Sequence, residues 1–471
     1  MNREKSLAKN TLILALGTFI PRISAFITLP ILTAYLSKAD YGTYDLVLIL
    51  TSLILPSATL QIQTAAFRFL IKSRNDPERK NTIITNIFVF TMPVSIAALV
   101  IMYFFLGNLS FFNRLLILLY FFVDMLNNSC LQTVRGLGDN FSYSVGAILG
   151  SLSKILLTVL GVLFFKEGLS AAIIALIVAA SFSSIFIILK SRLLQCIELN
   201  KVSWKEIKQL ISYSWPMVPN SMSLWVMNVS DRLVITFVLG LEATAIYAVA
   251  NKIPQILSIA QSTFAMAWQE NASLTSDDKD VGEYYTKMFD LILDIMTGFL
   301  AAIIAATPLL FMILIQGDYQ DSYPQLPILF LAFLFSTMSS FFGGVYVAFM
   351  KTKSVGLTTL AAAVINLIVD LCLVSLIGIT AASLSTLISF FALVVFRMIN
   401  VRKFVKIKYN YKKIFLYLAI LIIMCILCFF RNPYLDIVNL VIGMGMFFIL
   451  NRKLLSAIFK KIFKKKRKDK C

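Results

Sequence analysis

The sequence predicts an all-α integral membrane protein of about fourteen transmembrane helices, arranged as two six-helix lobes followed by two extra helices. Three observations carry this. Hydrophobic residues make up 59% of the 471 positions, roughly 278 in all, and only 14% are charged, against about 25% in a soluble domain. The mean hydropathy is +0.84. A membrane-crossing helix takes about 20 apolar residues, so the chain holds enough for about fourteen. A soluble globular enzyme and a disordered chain are both excluded on these grounds.

Apolar runs place the spans at 10–33, 43–66, 82–106, 115–134, 141–165, 169–189, 213–239, 243–268, 288–315, 323–349, 354–377, 379–396, 414–430 and 434–450. The first follows Arg3, Lys5 and Lys9 as a signal peptide would, but its apolar stretch is too long and no small-residue cleavage site follows, so it is read as a span. Lys and Arg decide the orientation. With the N-terminus inside, the inner segments hold 35 of the 43 basic residues. The outer loops hold four, Lys38, Arg114, Lys166 and Arg431, and four more lie within spans. That bias puts both termini in the cytoplasm. The net charge of +19 is therefore a topology signal spread over inner loops and the tail, and nucleic acid is not an expected partner.

The longest inner connection, 190–212, leads through KVSWKEIKQLISYSW (201–215), whose first part reads as an interfacial helix. In the tail, Leu454, Leu455, Ile458, Phe459 and Ile462 accompany a lysine cluster. This pattern fits docking on anionic membrane lipids, and equally a plain topology anchor.

Two stretches repeat. LSKADYGTYDLV (36–47) resembles LGLEATAIYAVA (239–250), which aligns Tyr44 with Tyr247, and GLSAAIIAL (168–176) resembles GITAASLST (378–386). The domains follow: an N-lobe over 1–197, a C-lobe over 198–400, two extra spans over 401–450 and a basic tail over 451–471. Substrate sites of transporters built from such repeats lie between the halves.

Several chemistries have no residues to run on. The chain has no His, so no imidazole base, His-containing triad or His-ligated metal can exist. No phosphate-binding G-x-x-x-x-G-K-[ST] occurs. No metal site, catalytic residue or cofactor is expected. The six cysteines, Cys130, Cys196, Cys372, Cys425, Cys428 and Cys471, do not form a disulfide framework. Cys425 and Cys428 lie in an apolar run and read as packing residues.

Ionisable residues within spans are costly and are functional candidates by default. Arg22, Lys154, Arg232 and Lys252 are the cationic ones. They could hold an anion in a water-filled cavity, Arg through its planar fork and Lys as a point charge, or neutralise acids on neighbouring helices. Polar stripes at 4, 3, 4 and 4, 3, 4 spacing run through Ser57, Gln61, Thr64 and Arg68 and through Asn251, Gln255, Ser258 and Ser262. Each would occupy one helical face, as a cavity wall or as hydrogen-bonding glue between helices. Asp124, Asp294 and Asp370 are positioned to carry a proton or sodium ion.

The stretch YSWPMVPNSMSLWVMNVSDRLVITFVLG (213–240), continued by LEATAIYAVANKI (241–253), resembles the seventh and eighth helices of the polysaccharide transporter family. These are Wzx-type lipid-linked oligosaccharide flippases of the multidrug/oligosaccharidyl-lipid/polysaccharide exporter superfamily. The resemblance implies a V-shaped pair of bundles working by alternating access in the bacterial plasma membrane. Its implied cargo is an undecaprenyl-pyrophosphate-linked repeat unit for capsule, O-antigen or exopolysaccharide. Implied partners are that lipid-linked oligosaccharide and a polymerase and glycosyltransferases of the same pathway. Cationic cavity residues recur in such flippases, and Arg22, Lys154, Arg232 and Lys252 qualify by position. A multidrug cation antiporter and a peptidoglycan lipid II flippase share the fold and are the alternatives. A membrane polymerase or ligase would need a substantial outer loop for its catalytic residues, and every outer loop here is short.

Overall fold

The structure is a computed structural model that describes residues 2–107, 109–165 and 168–468; the side chains of residues 2–16 and 457–468, and of some residues within the helices, are outside the described set. Lys166, Cys471 and the side chains of Arg3, Lys5, Lys9, Leu454, Ile458, Phe459 and Ile462 therefore lie outside the described residues. Among the described residues there are α-helices and 3-10 turns and no strand. The chain divides into two compact units, Met1–Trp225 and Val226–Cys471.

The first unit contains α1 (Asn2–Tyr35), α2 (Lys38–Ala58), α3 (Ile62–Lys72), α4 (Pro77–Phe105), α5 (Phe111–Leu137), α6 (Asn140–Phe165), α7 (Gly168–Lys190), α8 (Trp204–Ser214) and the start of α9 (Met217–Leu239). The second contains the rest of α9, then α10 (Leu241–Leu274), α11 (Val281–Leu314), α12 (Leu326–Ala348), α13 (Thr352–Ile377), α14 (Thr380–Val401), α15 (Tyr411–Phe429) and α16 (Pro433–Lys468). Each expected span overlaps helix. Among the described residues, twelve helices are long and apolar enough to cross a membrane, and α9 and α10 are not among them. The count of fourteen is therefore not reached by that measure. Asn251, Lys252 and Gln255 lower the hydropathy of α10, and the side chains of several residues of α9 lie outside the described set.

The expected span 43–66 is not one helix. Pro56 lies near the end of α2, and Leu60 and Gln61 take left-handed backbone angles, φ 49° and 56°, before α3 begins. Such angles are disfavoured for L-residues. The polar stripe from Ser57 to Arg68 thus straddles a break. Ser57 and Thr64 direct their hydroxyls to the sulfurs of Met222 and Met217, and Gln61 donates to Ser221 Oγ. All three acceptors sit on the first turns of α9, inside the same unit.

Elsewhere in the first unit, close helix approach replaces the hydrophobic drive that lipid removes. A Cβ on Gly17 of α1 would lie 2.6 Å from Ser144 Cα on α6, and one on Gly146 would lie 2.8 Å from Ile187 on α7. The segment 190–212 does form the expected short helix, α8, capped by Ser203. It is docked on α4: Arg79 makes a two-pronged bond to Glu206 at 2.7 and 2.9 Å, and the Asn86 amide accepts from Ser203 N and donates to Lys201 O. Glu198, in the same connection, is held below the usual carboxylate range by hydrogen bonds from Asn81 and Lys201.

The second unit is centred on aromatic packing, with Trp268 stacked on Phe341 at 4.5 Å and Phe289 against Phe341 and Phe342. Two glycines set its hairpins. Gly240 (φ 91°) joins α9 to α10, and Gly378 (φ 61°) joins α13 to α14, angles that only glycine adopts without strain. The described cysteines form no disulfides, and Cys425 and Cys428 are buried. The last helix does not stop at the expected 450 but continues to Lys468.

Candidate functional site in the second unit

The two glycine hairpins bring four helices together around one polar cluster. Asp231 on α9 is 3% exposed. Its Oδ2 accepts from Tyr247 Oη on α10 at 2.6 Å and from Thr386 Oγ1 on α14 at 2.8 Å, while its Oδ1 has no hydrogen-bond partner. Asp370 on α13 is 1% exposed, and neither of its carboxylate oxygens has a partner. The two acids lie within electrostatic reach of one another. Asn366, one turn before Asp370, donates to Ser385 Oγ and accepts from Ser230 Oγ. Thr386 and Ser385 also donate to the Ala382 carbonyl.

Two carboxylates within electrostatic reach in a low-dielectric bundle disfavour joint ionisation, and Arg232, the next residue on α9, is buried and acts electrostatically on Asp231. The hydrogen-bonding neighbours of Asp231 and Asn366 are neutral: Tyr247 and Thr386 for the first, Ser230 and Ser385 for the second. Among the described residues no group of three or more Cys, Asp or Glu is arranged to hold a metal ion.

The cluster opens on a pocket of about 180 Å³ lined by Asp231, Tyr247, Asn251, Gln255, Ser258 and Thr386 among others. Three of the four residues of the second stripe are thus brought together on one wall with Asp231. Ser262, the fourth, is not on that wall.

The other predicted site residues are dispersed. Arg22 on α1 is exposed and Lys154 on α6 is half-buried, both in the first unit; Arg232 and Lys252 are buried and half-buried in the second. Arg68 is exposed on α3. Asp124 on α5 lies beside Tyr120, which has Tyr44 and Thr51 for further neighbours. Asp294 is bound by Lys413 Nζ at 2.8 Å and by Tyr417 Oη at 2.7 Å, near the cytoplasmic ends expected for α11 and α15.

The family described as "Polysaccharide biosynthesis protein" matches residues 7–269, which take in the first unit, α9 and most of α10. The chain belongs to this family. No protein of curated function matches it. Among solved structures, this polysaccharide biosynthesis family member is similar to an inward-facing multidrug-resistance MATE transporter of the MOP superfamily, with a TM-score of 0.71, 13% identity, and 83% of this chain and 98% of that one covered. It is similar also to the lipid II flippase MurJ in an inward closed conformation, at TM-score 0.68 and 15% identity, with 94% of this chain and 100% of that chain covered. A MOP-superfamily transporter from Pyrococcus furiosus, whose binding pocket is described as having reverse polarity, matches at TM-score 0.59 and 14% identity over 84% of this chain and 96% of its own. At these identities the likeness is one of fold: an all-helical, multi-pass membrane fold of MATE and MurJ type.

Sequence reasoning missed two residues of this family member. Asp231 was countable as a buried acid but carried no signal linking it to Asp370, 139 positions away; the alignment of Tyr44 with Tyr247 pointed to the right turn of helix without revealing its partner. Arg397 sits at the boundary assigned to the inner connection 397–413, yet it is 4% exposed on α14. Its Nε donates to Thr358 Oγ1, its Nη1 to the Ser339 carbonyl and hydroxyl at 2.8 and 3.1 Å, and its Nη2 to Thr359 Oγ1 and the Val355 carbonyl. The continuation of apolar residues through FALVVFRMINV (391–401) is the signal that would have kept it in the helix.

Proposed function

We propose that this protein is a flippase that carries undecaprenyl-pyrophosphate-linked oligosaccharide repeat units from the inner to the outer leaflet of the bacterial plasma membrane, with both termini cytoplasmic. The observation that carries the reading is the match to a polysaccharide biosynthesis family on a chain with a transporter fold. The product serves surface polysaccharide, and a polymerase and glycosyltransferases of that pathway act on either side of the step.

With an inside-negative potential, moving a pyrophosphate outward is downhill by about 2.3 kcal/mol per charge per 100 mV. Arg22, Lys154, Arg232 and Lys252 are the proposed contacts for that headgroup. The return of the empty carrier is assigned to a cation: with Asp231 and Asp370 neutralised by a proton or sodium ion, the repulsion between them is removed and their helices pack more closely. Asp124 is the corresponding candidate in the first unit.

The lipid-linked sugar intermediates of a strain lacking the protein test this. Accumulation on the cytoplasmic leaflet with loss of surface polysaccharide is the expected result. A second reading is favoured by one observation, the acidic pocket around Asp231 on a MATE-like fold: a multidrug cation antiporter. In that case the same strain makes normal polysaccharide and becomes sensitive to cationic drugs. A lipid II flippase would instead arrest cell-wall synthesis.

A further inference from the structure

A second cavity in the Val226–Cys471 unit, about 750 Å³, lies between α11 and α16, away from the Asp231 pocket. Its chemistry is divided. Leu291 and Ile295 on α11 and Ile449 and Leu450 on α16 make an apolar wall, and Lys287, Asp290, Asp294 and Arg452 make a charged lip. The lip is formed where α11 and α15 begin and where the basic extension of α16 starts, the cytoplasmic membrane interface in the proposed orientation. A cavity of this size accommodates a small molecule rather than an ion, and at this depth the molecules at hand are lipids.

The lip charges are not equally engaged. Lys287 is tied to Glu283 at 2.7 Å, and the charge of Asp294 is met by Lys413 at 2.8 Å on Oδ1, which also accepts from Tyr417. Asp290 has only a long approach of 3.8 Å to Lys413. Arg452 is exposed and makes no hydrogen bond or ion pair among the described residues. One guanidinium and one carboxylate are therefore available across a single apolar crevice. An arginine fork is suited to a phosphate, and a carboxylate to an ammonium with N–H donors.

We propose that this crevice binds a zwitterionic aminophospholipid of the inner leaflet, its phosphate on Arg452, its primary ammonium on Asp290 and an acyl chain along Leu291, Ile295 and Ile449. An anionic headgroup would meet Asp290 with like charge, and a choline headgroup has no N–H to give it.

Native mass spectrometry of the full chain, titrated with short-chain phosphatidylethanolamine, phosphatidylcholine or phosphatidylglycerol, tests the assignment. The expected preference for phosphatidylethanolamine over phosphatidylcholine is about three- to fivefold, the size of one exposed ion pair. Asp290→Asn should erase that preference and leave overall lipid uptake intact, whereas Arg452→Gln should weaken phosphatidylethanolamine and phosphatidylglycerol alike. Equal binding of all three lipids by the wild type would overturn the proposal. So would a preference for phosphatidylglycerol that grows in Asp290→Asn, since the crevice would then be an anionic-lipid site.

Discussion

Arg397 and Asp370 are both buried charges in the second unit, on adjacent helices of one hairpin, and they are treated in opposite ways. All the nitrogens of Arg397 are engaged by neutral oxygens of Ser339, Val355, Thr358 and Thr359, and among the described residues it has no carboxylate partner. Asp370 has no hydrogen bond at all. A buried charge whose bonding capacity is filled ties helices together: here α14 to α12 and α13. A buried charge whose capacity is unfilled is costly to fold around, which is why the proposed function gives Asp370 a proton or cation to take up. On the proposed function, the contrast is between a charge that ties helices together and one that works in transport.

The largest expected effect follows from the filled side. Arg397→Met removes the donors and leaves buried acceptors behind, at a cost of at least about 3 kcal/mol. Little protein should reach the membrane, as judged by the abundance and thermal unfolding of a tagged chain. Arg397→Lys keeps the charge but not the planar fork, so it should fall between. Wild-type abundance of Arg397→Met would end the structural reading.

Asp370→Asn should do the reverse. It removes repulsion with Asp231, so abundance and thermal stability should match or exceed wild type, while export falls about tenfold and stability no longer responds to sodium ion or pH. A tenfold loss corresponds to about 1.4 kcal/mol, the order of one charge-assisted contact. Unchanged export with an unchanged cation response would remove the pair from the mechanism. Tyr247→Phe, which deletes one donor to Asp231, should show the same pattern at smaller amplitude.

The cationic candidates are next. Arg22→Ala, Lys154→Ala and Lys252→Ala should each lower export by a few-fold without lowering membrane abundance, the order expected for one solvated charge on an anion. Wild-type export in all three would sink the pyrophosphate assignment.

What could be read from the sequence follows the same division. The helices were legible because a membrane span is a composition: each apolar run became a helix, and α8 appeared where KVSWKEIKQLISYSW mixes charge with apolar residues. The break after Pro56 was not legible, because nothing in LQIQ (60–63) names a left-handed angle. Asn251, Gln255 and Ser258 were found by their spacing along one helix. Asp231 and Asp370 could not be paired that way, since their proximity is created by Gly240, Gly378 and the packing of α9 on α13, which are long-range facts. Asp294 was indistinguishable from Asp370 as a lone acid in an apolar run; Lys413, 119 positions on, distinguishes them.

The smallest effects discriminate between the two polar stripes, which looked alike at the same spacing. Gln61 donates to Ser221 at the start of α9, so it belongs with Arg397 among satisfied groups. Gln255 lines the pocket beside Asp231, and among the described residues its side chain makes no hydrogen bond. Gln61→Ala should therefore cost about 1 kcal/mol of stability, one hydrogen bond, with export reduced only in proportion to abundance. Gln255→Ala should leave stability within about 0.5 kcal/mol, as for an exposed substitution, and lower export per molecule or alter its cation dependence. If the two variants changed places, with Gln61→Ala impairing transport in fully abundant protein, the break between α2 and α3 would be part of the working machinery and hydrogen-bond saturation would not separate the two classes.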